Sequence, residues 1–164
     1  MRKMNTKGYT LVELVTVMAI MGILGTMLVT MMNTGGRLYR NANTVMDAQN
    51  NARLAVSYIT VKIRQNDVSN GISVDKTSYS VPVLKINDSS VDNGYTYWIY
   101  FDGSTSKLRE QYGNTGFNSV LGSGAEIADI SYFDIEQSGT DINFEVKSAD
   151  GTVDLTQDLT LRSQ

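Results

Sequence analysis

The sequence predicts an α+β fold: a long N-terminal helix, half membrane segment and half amphipathic, packed on a small antiparallel β-sheet. Three observations lead there. Residues 9–32 are apolar with a single charge, and residues 38–63 repeat apolar or small residues at helical spacing. From Ser69 onward that spacing gives way to short alternating runs separated by turn residues such as Asp102-Gly103 and Asp150-Gly151. The expected organisation is a basic leader (1–8), a membrane helix (9–32), an amphipathic helix belonging to the globular domain (33–68) and an antiparallel β region (69–164).

Composition removes whole classes of function. The 164 residues hold no His and no Cys. That excludes a thiol nucleophile, a Ser-His triad, zinc held by its usual ligands and a disulfide framework. No cofactor and no metal are expected. Charged residues make up 19% and apolar residues 41%, a composition neither disordered nor suited to nucleic acid.

The first helix is read from Tyr9–Met32, 24 residues whose only charge is Glu13. At about 1.5 Å per residue it reaches roughly 36 Å, enough to cross a hydrocarbon core. Arg2, Lys3 and Lys7 precede it with no acid, so the amino end is expected to stay cytoplasmic and the remaining 132 residues to be exported. The apolar run is too long for a cleaved secretory signal, and no small-x-small site follows it. An acid at mid-membrane costs about 2.5 kcal/mol or more, less near the interface, and marks a candidate site. Gly22, Gly25, Thr16, Thr26 and Thr30 fit close helix packing and ordinary membrane-helix composition equally well. Met18, Met21, Met27, Met31 and Met32 read as adaptable packing residues rather than metal ligands.

The string KGYTLVELV, residues 7–15, with basic residues before it and an apolar helix after it, resembles the amino terminus of type IV pilins and pseudopilins. That family's pattern is a basic leader ending in Gly, an aromatic residue, Thr-Leu, an apolar residue, Glu and a long apolar run. The resemblance implies a type IV pilin-like fold, cleavage by a prepilin peptidase after Gly8 and N-methylation of the freed Tyr9. It also implies assembly with other pilin subunits through the N-terminal helix, by machinery in the cytoplasmic membrane. Glu13 would be the assembly acid, meeting the Tyr9 amine of its own chain or of a neighbour. A glycine at the cut leaves the backbone open to close approach. Tyr9 replaces the more usual Phe, and Thr30 stands where many members carry a proline; the only proline here is Pro82.

Beyond Met32, Leu38, Ala42, Val45, Gln49, Ala52, Val56, Ile59 and Ile63 alternate steps of four and three, one face of a helix. This face is expected to bury against the chain's own sheet, with Gly35-Gly36 as the expected hinge. Residues 51–67, NARLAVSYITVKIRQND, resemble the helix end of minor pilins related to the larger minor pseudopilins, which leans the reading toward a minor subunit.

In the β region, strands are expected at 79–86 (with Pro82 at an edge or bulge), 95–101, 107–112 and 126–137. A hairpin follows, from Ile142, Phe144 and Val146 through Asp150-Gly151 to Val153, Leu155, Leu159 and Leu161. Alternation places Tyr97, Ile99 and Phe101 on one face of the aromatic strand and Trp98 with Tyr100 on the other, one face core and the other a candidate subunit contact. Asp88 with Asp92, and Asp150 with Asp154, read as solvated turn carboxylates. DSSVDNG, residues 88–94, has oxygen-rich spacing like a calcium loop but lacks the terminal Glu of an EF-hand.

The leading function is therefore a structural subunit of a type IV pilus, single-pass in the cytoplasmic membrane before assembly and extracellular after it. Alternatives are a pseudopilin of a type II secretion-like system or a DNA-uptake subunit. Residues 33–164 carry 16 acids and 11 bases, net −5, which disfavours nucleic acid as a partner. A membrane-anchored enzyme is disfavoured by the missing His and Cys.

Overall fold

The computed structural model describes residues 10–88, 90, 94–114, 116–117 and 122–162. Within them, Leu11–Gln65 form one α-helix, α1, of 55 residues. Thr10 starts it: its Oγ1 accepts the Glu13 N–H at 3.3 Å, satisfying an amide that the first turn leaves open. No proline lies within the span, and Gly35 and Gly36 are themselves helical. At the far end Asn66 caps the helix, its Nδ2 donating to the Lys62 carbonyl at 3.0 Å. Lys62 and Arg64 in the last turn complement the negative helix end. The chain then turns sharply at Gly71, where a Cβ would lie 2.6 Å from Val68 Cγ2 and 2.9 Å from the Asn66 carbonyl oxygen.

Seven strands follow in a meander: β1 (Ile72–Asp75), β2 (Val83–Asn87), β3 (Thr96–Asp102), β4 (Lys107–Gly113), β5 (Ala125–Ser138), β6 (Asp141–Ser148) and β7 (Asp154–Thr160). Each pairs antiparallel with its neighbours in sequence order. β5 serves two partners: residues 125–129 pair with β4, and residues 130–138 pair with β6. Register shifts beside Leu108 and at Ile130/Tyr132 let the long strand change partners without breaking.

The chain divides into two units, Met1–Asn43 and Thr44–Gln164. The second has a hydrophobic core. Ala52, Ala55, Ile59 and Ile63 of α1 pack on the inward residues of the sheet, among them Ile99, Ile130, Phe144 and Val146. Small alanines let the helix approach closely, and the isoleucines fill the volume beyond them. The α+β architecture is the one the sequence predicts.

The details depart from it in three places. The buried helix face is Ala48, Ala52, Ala55, Ile59 and Ile63; Leu38, Ala42 and Val45, expected in the stripe, are exposed. The strand expected from Tyr79 starts instead at Val83, because Asp75 folds the chain into a turn, its Oδ1 accepting the Thr77 and Ser78 amides at 2.9 and 2.8 Å. β1, four residues long, is an element the alternation does not reveal. The third departure concerns Trp98 and Tyr100. Rather than forming a free subunit contact, they are buried with Val83 beneath Tyr79, Val81 and Phe117, a second small core on the opposite face of the sheet.

Candidate functional site

The features expected to act lie at the start of α1. Gly8 and Tyr9 fall outside the described residues. Glu13 is in the first turn of the helix and exposed. Among the described residues its carboxylate has no hydrogen bond or ion pair, while its amide is held by Thr10. The next charged residue along the helix is Arg37. A lone carboxylate here lies near the positive helix end, which partly compensates it in an apolar setting.

The other polar groups of this segment are satisfied internally. Thr16 Oγ1 donates to the Val12 carbonyl at 2.8 Å, Thr26 to Ile23 at 2.8 Å and Thr30 to Thr26 at 2.8 Å. With hydroxyls turned back onto the backbone, the helix surface presents hydrocarbon. Residues 10–32 are exposed throughout, Leu11 at 81% and Met32 at 78%. Its most apolar 18-residue stretch has a mean hydropathy of 2.2, and the helix is long enough to cross a membrane. Such a surface is stable in lipid or against other helices, and Glu13 is the charged residue in it. The capping role of Thr10 escapes the motif reading, although the T-x-x-E spacing of Thr10 and Glu13 is its sequence signal.

Of the carboxylates singled out in the sequence, Asp88, Asp150 and Asp154 are engaged within the fold. Of residues 88–94, only Asp88, Ser90 and Gly94 are described. The Asp88 Oδ1 accepts the Ser90 amide at 2.9 Å, and its Oδ2 accepts the Tyr97 and Tyr112 hydroxyls at 3.1 and 2.8 Å. These donors, Ser90 foremost, hold its pKa down at about 2, and the same contact pushes the Tyr112 hydroxyl up to about 12. Asp150 accepts the Thr152 amide at 3.1 Å in its turn, and Asp154 pairs with Lys147 at 3.1 Å. Asp92 lies outside the described residues. Among the described residues no three His, Cys, Asp or Glu side chains gather in a way that would hold a metal.

A second polar cluster fastens helix to sheet. Tyr58 donates to Glu110 Oε2 at 2.6 Å, Lys62 pairs with Glu110 at 3.2 Å, and the Lys62 ammonium stands 3.4 Å from the centre of the Tyr97 ring. Burial, reinforced by Glu110, raises the Tyr58 pKa, so this phenol stays neutral and donating.

Residues 3–29 match the prokaryotic N-terminal methylation motif, the signal of type IV pilins and pseudopilins. Residues 50–149 match the family described as domain of unknown function DUF4860. No curated protein and no solved structure matches the chain. The second match spans more than half of the chain, which belongs to the DUF4860 family. The methylation motif implies processing by a prepilin peptidase and assembly with other pilins, and it makes this a type IV pilin-like or pseudopilin protein.

Proposed function

We propose that the chain is a minor subunit of a type IV pilus, made as a prepilin and cut between Gly8 and Tyr9. The freed Tyr9 amine is N-methylated, and the subunit joins the filament through residues 9–32, where Glu13 meets the Tyr9 amine of a neighbour. The observation that carries this reading is the methylation motif over residues 3–29 coinciding with an exposed apolar helix whose one charge is Glu13. An N-terminal amine has a reference pKa near 8 and is cationic at neutral pH, so it supplies the charge an acid in lipid requires. The minor-subunit part rests on the resemblance of residues 51–67 to minor pilins. Before assembly the subunit spans the cytoplasmic membrane with its globular unit outside. Its role is structural, not enzymatic.

Intact mass and N-terminal sequencing of protein extracted from membranes test the processing step. The expected mature chain begins at methylated Tyr9. It has lost Arg2, Lys3 and Lys7, which moves the formal side-chain charge from −3 to −6. A chain that still begins at Met1 in cells with a working peptidase would overturn the assignment.

A further inference from the structure

The face of the sheet opposite α1 carries a groove of about 410 Å³, lined by Asp75, Tyr79, Lys85, Trp98, Asn114 and Phe117 among others. Its size falls within the range of small-molecule sites. The register explains how the groove is assembled: Lys85 on β2 lies directly across from Trp98 on β3, while Asp75 ends β1 beside them. Neighbours of this kind on one face have Cβ atoms about 5 Å apart. Aromatic rings form one wall. Phe117 meets Tyr79 edge-on at 4.7 Å between centroids and approaches Trp98 at 6.5 Å.

Several polar side chains in this groove have no protein partner among the described residues. Trp98 is only 6% exposed, yet its indole N–H meets no acceptor among the described residues. Among the described residues the side-chain polar atom that is both unpaired and sealed from solvent is Thr60 Oγ1 on α1, not the Trp98 N–H, so this N–H keeps an opening where Trp98 lines the groove. Lys85 has no hydrogen bond or ion pair among the described residues, in contrast to Lys76, Lys107 and Lys147, each held between two acids. The Asn114 side chain is likewise without a partner. Asp75 spends Oδ1 on the turn that follows it, accepting the Thr77 and Ser78 amides, and as a carboxylate lining the groove it keeps further acceptor positions. An N–H that opens onto a groove is met there by water, which a ligand acceptor can replace.

We propose that this groove is a binding site for a neutral pyranose sugar, such as the terminal residue of a glycan. One cation and one carboxylate face the same space, so a ligand of either charge would meet a like charge, whereas a neutral polyol satisfies both. Lys85, the Trp98 N–H and the Asn114 amide donate to hydroxyls or ring oxygen, and the Asp75 carboxylate accepts from a hydroxyl. The apolar C–H face of the ring lies against Tyr79 and Phe117. This inference does not depend on the filament reading; it would hold for any context that exposes the sheet.

Trp98 is the only tryptophan of the chain, so tryptophan emission of the full-length protein in detergent reads this groove alone. Glucose, galactose, N-acetylglucosamine and N-acetylgalactosamine are titrated through the millimolar range. At least one is expected to produce a saturable change in emission. Lys85→Ala and Asp75→Asn are each expected to raise its half-saturating concentration about tenfold, the loss of one well-placed hydrogen bond. Lys85 is exposed, and Asn at 75 keeps an oxygen for the turn, so both variants should melt like the parent. A saturable response to none of the four sugars overturns the proposal. So does an equal response to acyclic sorbitol, or variants that titrate like the parent.

Discussion

The assembly role proposed for Glu13 rests on what surrounds it. In the first turn of an exposed apolar helix, with no partner among the described residues, a carboxylate is tolerated when a cation meets it. Glu13→Gln keeps the shape and removes the charge, so membrane insertion and cleavage after Gly8 should survive while incorporation into sheared filaments fails. Glu13→Asp, shorter by one methylene, should give a partial defect. Compared at equal membrane abundance, normal incorporation of the Gln form would leave Glu13 without this role. Glu13 is legible in the sequence because its signal is local: a glycine, an acid and an apolar run in fixed register. Asp102 is not. The Asp-Gly pair announces a turn, but Arg109, the charged partner of Asp102, comes opposite it only when the β3–β4 hairpin forms. Asp102 is fully buried, accepting the Ser104 and Thr105 hydroxyls at 2.6 and 2.7 Å and Arg109 Nε at 3.1 Å. These donors, Ser104 first, lower its pKa from 3.8 to about 2. A depressed carboxylate contributes stability that is whole above its ordinary pKa and lost as pH falls through the depressed one. The parent should therefore lose stability between pH 3.8 and about pH 2. Asp102→Ala should cost about 3 kcal/mol at neutral pH by removing an acceptor from buried Arg109. In urea unfolding it should also show a shallower acid slope, with the remainder coming from Asp88, depressed to the same range, and from Asp75 and Asp150, which are also held low by hydrogen bonds. An unchanged slope would dissociate Asp102 from acid lability.

At the scale of elements, period is legible and extent is not. The four-and-three spacing from Leu38 to Ile63 identifies a helical face, and α1 is indeed one helix, yet burial begins only at Ala48. A pattern of side chains records which face is apolar; how far a sheet reaches along it depends on strands that lie far away in sequence. The final hairpin is the converse case. Ile142, Phe144 and Val146 are all fully buried, as strict alternation around an Asp-Gly turn demands. β5 shows another limit. Its expected span nearly matches the observed one, but that it pairs with β4 over its first residues and with β6 over the rest is a tertiary fact. The revised helix face makes a sharp comparison. Ile59 is 0% exposed and Leu38 is 65% exposed. Ile59→Ala should destabilise the protein by about 3 kcal/mol, from lost transfer energy and the cavity left behind. Leu38→Ala should stay within about 0.5 kcal/mol of the parent. Urea unfolding in detergent measures both, and equal losses would restore Leu38 to the core.

For the whole molecule, the division at Asn43/Thr44 separates two chemistries. The described helical residues of the first unit are exposed, and those from 10 to 32 need lipid or sibling helices around them. The second unit contains the buried helix face, all seven strands and both clusters of buried residues, so its cooperative core needs nothing N-terminal to residue 44. A chain beginning at residue 33 should therefore be a soluble monomer that unfolds in one transition, and shortening it to residue 44 should leave its midpoint in urea nearly unchanged. The residues removed between the two, 33–43, are exposed and contribute none of the buried contacts. The sheet ends at β1 and β7; β1 lies against β5, its Val74 N–H donating to Gln137 Oε1 at 3.2 Å, which leaves β7 as the more open edge among the described residues. β7 alternates exposed Asp154, Thr156, Asp158 and Thr160 along its length, and charges of this kind discourage edge-to-edge pairing. Sedimentation and urea titration of the two truncated chains check the expectation. If both aggregate without a cooperative transition, the sheet requires a neighbour along an open edge to be stable. If only the shorter chain fails, residues 33–43 support the fold through contacts that a buried-surface argument does not contain.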